Sequence, residues 1–306
     1  MANGLTQGVA AMVAACSIWG LSPMYYKLLS HIPAIDLLSH RMIWSLVFFG
    51  LVLGLQGRLR EVAHSFSGPS AFGRVALASL MIASNWTLFI WSVQTGHTTQ
   101  SSLGYYIYPL VAVVIGRLVF GERLHKIQWA CVGLAAIAVC VLTFGLGTAP
   151  WIAVVLALTF GFYGLFKKQL NVGPVVSVTA EVLLLAPFAV VILLQSYHKG
   201  VPVFGEDVQT LTLLVLAGPI TAVPLILFSF AARRLAMTTL GLLQYINPTL
   251  QFACAVFVFS EPFGAWHLIA FVLIWCALGL YSLTALRQDK LRRKADRAAS
   301  LSGTTL

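Results

Sequence analysis

The run Leu211–Phe230 carries no charged side chain over its whole length, and a run of that kind restricts what a chain can fold into more than any other feature. A bilayer core about 30 Å thick is crossed by a helix of about 20 apolar residues. Comparable runs follow one another through all 306 residues with short gaps between them. Only 9% of the residues are charged, against about 25% in an ordinary soluble domain, so a water-facing coat cannot be built. In lipid every backbone N–H and C=O must be paired internally, which leaves helices or a closed barrel. Barrel strands alternate polar and apolar residues, and these runs do not. The chain is therefore expected to be an all-α polytopic membrane protein with ten transmembrane helices, near 7–29, 35–55, 72–93, 99–119, 126–146, 150–167, 175–197, 209–231, 238–259 and 264–286. The gaps are too short for a soluble domain, and the polar tail from Gln288 is expected to be disordered.

Cys16, Cys131, Cys140, Cys254 and Cys276 all fall within these spans at spacings that match no metal motif. They read as small packing residues, and neither a metal nor a cofactor is expected. Val13-Ala14-Ala15-Cys16 resembles a lipoprotein box, but no Lys or Arg precedes it and the apolar run continues to Leu29, so a first span is expected there.

The formal charge of +10 is placed as topology signals rather than as a nucleic-acid surface. With the N-terminus inside, Arg58, Arg60, Arg74, Arg117, Arg123, Lys126, Lys167, Lys168, Arg233, Arg234 and the basic tail fall on one side, and only Lys27 and Lys199 on the other. Positive residues mark cytoplasmic loops, so both termini are expected in the cytoplasm. The basic tail is suited to contact anionic membrane lipid.

Internal similarity divides the chain. Tyr106-Ile107-Tyr108-Pro109 matches Tyr245-Ile246-Asn247-Pro248, and Phe120 and Glu122 match Phe259 and Glu261, all at an offset of 139. Upstream, an offset of 141 sets Gly20 against Gly161, Lys27 against Lys168 and His40 against Glu181. The expected units are two five-helix repeats, 1–146 and 147–287, followed by a cytoplasmic tail, 288–306. Five is odd, so the second copy must be inverted. Arg117, Arg123 and Lys126 surround Glu122, whereas no Lys or Arg surrounds Glu261, as inversion requires. Inverted repeats are a recurring architecture of secondary transporters.

With Ile18-Trp19-Gly20, the paired Tyr-Ile-x-Pro elements and the Gly-Glu after the fourth span, the chain resembles the drug/metabolite transporter superfamily, in its EamA branch. Trp19-Gly20-Leu21-Ser22-Pro23, Tyr26-Lys27 and His40-Arg41 are similar to the RarD group of that branch. The resemblance implies a bacterial inner-membrane permease for amino acids, related metabolites or drug-like molecules. Tyr108 stands where such relatives usually carry Asn, which removes symmetry from any role of that pair.

Ionisable groups within a membrane span are functional candidates by default. Asp36, His40 and Trp44 share one helix face. Glu181 stands at the position matching His40, and both helices are expected to approach the centre, setting Glu181 opposite His40 or Arg41. Arg41 would hold a substrate carboxylate or phenolate and Glu181 an amine or a coupling proton, or the two would form a buried ion pair that fixes helix packing. His40, as an imidazole, suits H+ coupling or a hydrogen-bonded packing role. Pro109 and Pro248 withdraw N–H groups in mid-span and release the carbonyls of Tyr105 and Gln244. Helix breaks there would line a cavity with Tyr105, Tyr106, Tyr108, Gln244, Tyr245 and Asn247, or simply kink two packed helices. Trp19, Asn85 and Trp86 are further pathway candidates, Gly104, Gly133 and Gly161 are expected at close helix contacts, and Glu122 and Glu261 as anchors near the surface. No catalytic residue is expected. The reading is a carrier of a small-molecule substrate, with a membrane-embedded enzyme or a passive channel as rivals.

Overall fold

The computed structural model describes residues 2–120, 126–147, 149–170, 172–201, 204, 207–232, 234–235 and 237–302. The helices are α1 (Ala2–Leu28), α2 (Ala34–Leu55), the short α3 (Leu59–His64), α4 (Pro69–Gln94), α5 (Thr98–Phe120), α6 (Lys126–Leu146), α7 (Trp151–Lys168), α8 (Pro174–His198), α9 (Val208–Ala232), α10 (Met237–Gln244), α11 (Ile246–Ala253) and α12 (Ala265–Ser302). A five-residue π turn, Cys254–Val258, follows α11. Eight helices are long and apolar enough to cross a membrane, and Trp151–Lys167 and Ile246–Val258 are shorter apolar helices. The fold is an all-α polytopic membrane protein.

Local sequence sets the helix ends. Pro69 and Pro174 open α4 and α8, where a missing N–H costs nothing. Gly57, Gly96 and Gly200 take positive φ after α2, α4 and α8. Arg58 N–H then reaches Leu53 O at 2.9 Å, His97 N–H reaches Ser92 O at 2.7 Å and Val201 N–H reaches Ser196 O at 3.0 Å, the closing bond of a Schellman turn in each case. Asp207 takes the N–H and hydroxyl of Thr210 at 2.7 and 2.9 Å in the first turn of α9. Those bonds hold its carboxyl below the usual range. The tail differs from expectation, because α12 continues to Ser302: residues 287–302 are rich in Ala, Leu, Arg and Lys without Gly or Pro, so helix propensity prevails over polarity.

Packing follows a matched pattern. α1 lies on α9 as α7 lies on α4, α5 lies on α7 as α11 lies on α1, and α2 meets α8, α6 meets α12 and α5 meets α11. Added Cβ atoms show the same pairing in detail. One on Gly20 would stand 2.7 Å from Leu250 Cβ, and one on Gly161 would stand 3.0 Å from Val111 Cγ1. Leu250 and Val111 are themselves equivalent at the 139 offset. Tyr106 and Tyr245, also equivalent, stack with ring centroids 6.5 Å apart.

Small residues permit the closest approaches, as membrane helix packing requires. A Cβ on Gly104 would meet Ala153 O at 2.8 Å, and one on Gly218 would meet Trp44 O at 2.5 Å. Gly133 corrects the expectation, since nothing lies within 4 Å of its Cβ position. Gly218→Ala is expected to destabilise the protein by about 1–3 kcal/mol, because the backbone of α2 must move. Gly133→Ala is expected to be neutral within the error of thermal unfolding in detergent. Equal melting temperatures for the two variants would refute the packing.

Candidate functional site

Asp36 Oδ1 accepts from Ser196 Oγ at 2.7 Å, near the start of α2 and the end of α8. Leu53, near the end of α2, packs with Val176 and Ala180, near the start of α8. The two helices are therefore antiparallel, in a register that sets Glu181 across from residue 51. Arg41 lies ten residues away, about 15 Å along the helix axis. The expected pairing of Glu181 with Arg41 or His40 is thus not formed by its carboxylate. Equivalent positions of two oppositely directed helices lie at matching distances from opposite ends, and only residues close to the centre, such as Tyr106 and Tyr245, come face to face.

Glu181, with no exposed surface, instead accepts from Lys167 Nζ at 2.8 Å, Tyr163 Oη at 3.0 Å and Ser177 Oγ at 3.0 Å. Lys167 Nζ also reaches Ser177 Oγ at 2.5 Å. Lys167 corrects the reading of it as a loop topology signal: the last turn of α7 folds its ammonium inward. The side chain of Lys168 lies outside the described residues.

Arg41 is 6% exposed. Its Nε donates to Thr221 Oγ1 at 2.9 Å, and its guanidinium lies 4.0 Å from the Trp86 ring centroid and 5.8 Å from that of Tyr26. Cation–π contact of this kind stabilises a desolvated cation by about 2 kcal/mol. Among the described residues Arg41 forms no ion pair. His40 is buried, with its ring edge against Phe204 at 5.5 Å.

An aromatic series joins the two polar centres. Tyr26 contacts Phe89 at 5.8 Å, Phe89 contacts Tyr105 at 5.7 Å, Tyr105 contacts Phe160 at 5.7 Å and Phe160 contacts Tyr163 at 5.8 Å between centroids. Tyr163 then donates to Glu181. Asn85 braces this series. Its Nδ2 donates to Leu156 O at 3.0 Å and Thr159 Oγ1 at 2.9 Å, and its Oδ1 accepts from Tyr105 Oη at 2.9 Å.

The proline elements differ from each other. α5 continues through Pro109, so the helix break expected there is absent, while Tyr108 packs on Phe160 at 4.8 Å. In the second element α10 ends at Gln244 and α11 starts at Ile246. Gln244, Tyr245 and Asn247 are half-buried around this interruption. Tyr106 Oη shares a 2.6 Å hydrogen bond with Thr249 Oγ1, and Asn247 Oδ1 accepts from Gln251 Nε2 at 2.9 Å. Trp19 packs on Phe228 at 6.2 Å. Glu261 is buried, not a surface anchor: its carboxylate accepts from Thr98 N–H, Thr99 N–H and Thr99 Oγ1 at 2.7, 2.7 and 2.8 Å. It caps the start of α5, where a carboxylate also meets the positive dipole end. Glu122 lies outside the described residues.

Tyr26, Thr221, Phe160, Tyr163 and Lys167 are site residues that sequence reasoning missed. One signal was available: Lys167 and Tyr26 are equivalent at the 141 offset, so a residue beside the matched helix 1 and 2 contact was a candidate in both copies. Among the described residues no group of His, Cys, Asp and Glu is arranged to hold a metal.

Lys167→Met is expected to destabilise the protein by about 3–5 kcal/mol by leaving the Glu181 charge buried alone. Adding Glu181→Gln should recover a large part of that loss. Additive losses in a double-mutant cycle, read by thermal unfolding, would show that the pair is not coupled.

Residues 6–144 match the EamA-like transporter family. The protein RarD of Streptomyces exfoliatus is 42% identical, over 97% of this chain and 95% of its own. The protein RarD of Escherichia coli is 38% identical, over 94% of this chain and 98% of its own. A solved protein structure superposes with a TM-score of 0.62 at 16% identity, covering 92% of this chain and 99% of that one, a likeness of fold alone. The chain belongs to the EamA family of the drug/metabolite transporter superfamily, in its RarD-like group, and is a multi-pass membrane protein of a transporter family.

Proposed function

We propose that this protein is a secondary transporter that moves small organic solutes across the bacterial inner membrane by alternating access. The moving parts are two inverted five-helix halves, residues 1–146 and 147–287, with both termini and the basic tail in the cytoplasm. The observation that carries this reading is the matched packing of α1 on α9 with α7 on α4, and of α5 on α7 with α11 on α1. Each half is built into the other through equivalent contacts, so a rocking motion that loosens one set can tighten its counterpart. The buried charges Arg41 and Glu181, roughly a third of the way along α2 and α8 from opposite ends, supply polar groups along the route.

Reconstituted protein is expected to show saturable counterflow, in which unlabelled solute on one side accelerates uptake of labelled solute from the other. Flux that rises linearly with concentration would indicate a channel, and chemical conversion of the solute an enzyme. H+ coupling by Glu181 requires that Lys167 leave its carboxylate, so a pH gradient is expected to drive uptake and Glu181→Gln to abolish that drive. Transport indifferent to the gradient would remove the coupling. Accessibility labelling is expected to find residues 117–126 and 260–265 on opposite sides of the membrane, and the same side for both would end the inverted-repeat reading.

A further inference from the structure

The Arg41 guanidinium is buried, yet the structure gives it little to satisfy it. Its Nε bonds to Thr221, while its Nη groups have no hydrogen-bond acceptor and no carboxylate pairs with it among the described residues. The buried carboxylates of α2 and α8 are committed elsewhere. Asp36, more than one turn toward the start of α2, takes the Ser196 hydroxyl, and Glu181 is neutralised by Lys167. The surroundings add donors rather than acceptors. Tyr26, 1% exposed, lies against the guanidinium at 5.8 Å. One turn along the face of α2 from Arg41, the Ser45 hydroxyl is buried without a partner. Trp86 covers one face of the cation at 4.0 Å, and the rings of Phe89 and Tyr105 continue from Tyr26.

A buried charge without a counter-ion is strongly disfavoured, and the buried Ser45 hydroxyl without a partner adds to that. Both penalties are relieved together by one kind of ligand, an oxyanion. Flat aromatic walls around the cation favour a planar, apolar body behind the anionic group. An amino acid zwitterion would bring an ammonium group for which no uncommitted carboxylate is in place beside Arg41. Resting on the transporter reading, we infer that Arg41, with Tyr26 and Ser45 as hydroxyl donors and Trp86 as a stacking wall, forms the binding site for an aromatic monoanion, and that the substrate class is organic anions rather than amino acids.

The test uses the purified full chain with four indole probes: indole-3-acetate, tryptamine, indole-3-ethanol and tryptophan. Indole-3-acetate is expected to raise the melting temperature and to bind at least 10-fold more tightly than the other three. Arg41→Gln should weaken its binding at least 10-fold, with part of the loss restored in Arg41→Lys. Without ligand, Arg41→Gln should melt no lower than wild type, because it removes an unbalanced charge; a lower melting temperature would assign Arg41 a structural role. Binding of tryptamine or tryptophan as tight as that of indole-3-acetate, unchanged binding in Arg41→Gln, or no binding of any probe overturns the proposal. Should Arg41→Gln not fold, Tyr26→Phe is expected to weaken indole-3-acetate several-fold, and equal affinity overturns the site. Counterflow separates the two readings. Movement of tryptamine or indole-3-ethanol without indole-3-acetate leaves a carrier and removes the anion site, while anion binding without counterflow keeps the site and removes the carrier.

Discussion

The antiparallel contact of α2 with α8 is the constraint on which the arrangement of polar groups depends. It is fixed at one end by Asp36 and Ser196 and at the other by Leu53 with Val176 and Ala180. In lipid, an ionisable side chain must find its partner within reach of its own depth, since water cannot supply one. Running the helices in opposite directions separates the matched positions 40 and 181 along the membrane normal. Each therefore draws on the helix beside its own depth: Arg41 on Thr221 of α9 and the rings of Tyr26 and Trp86, Glu181 on Tyr163 and Lys167 of α7.

The two centres consequently differ in charge balance. Glu181 receives three donors, one of them cationic, so its charge is balanced within the fold. Arg41 is left with aromatic faces and a single hydroxyl acceptor. Cation–π contact offsets part of the desolvation cost but supplies no acceptor to the Nη groups.

Fold class was legible because it follows from the solvent: uninterrupted apolar runs such as Leu211–Phe230 admit only helices in lipid. The identity of deep ionisable residues was legible for the same reason, and Arg41 and Glu181 were both found from it. Their partners were not. A repeat offset identifies equivalent positions, but equivalence specifies depth from opposite ends, and the error in pairing Arg41 with Glu181 came from treating equivalence as proximity. Lys167 was obscured by its place at a helix end, where a basic residue ordinarily signals topology. Trp86 was visible as a deep indole, while Thr221 and Phe160 carry no sequence mark that separates a ligand-side residue from ordinary helix packing.

Two equivalent Tyr-Ile-x-Pro elements reach different backbones, and their side chains explain the difference. Before Pro109 the Tyr108 ring packs on Phe160 of α7, and α5 continues through the proline. Before Pro248 stands Asn247, whose carboxamide bonds to Gln251 one turn on, and the helix is divided at Tyr245. The same element then passes through a π turn, adopts positive φ at Ser260 and delivers Glu261 to the start of α5. π turns inside helices are tolerated at a cost and occur frequently at functional sites. Here the irregular element and α5 are tied by three charge-assisted hydrogen bonds from Thr98 and Thr99. Separating α5 from the end of the π turn therefore requires Glu261 to surrender the cap of α5, whereas bending at Tyr245 leaves that cap in place.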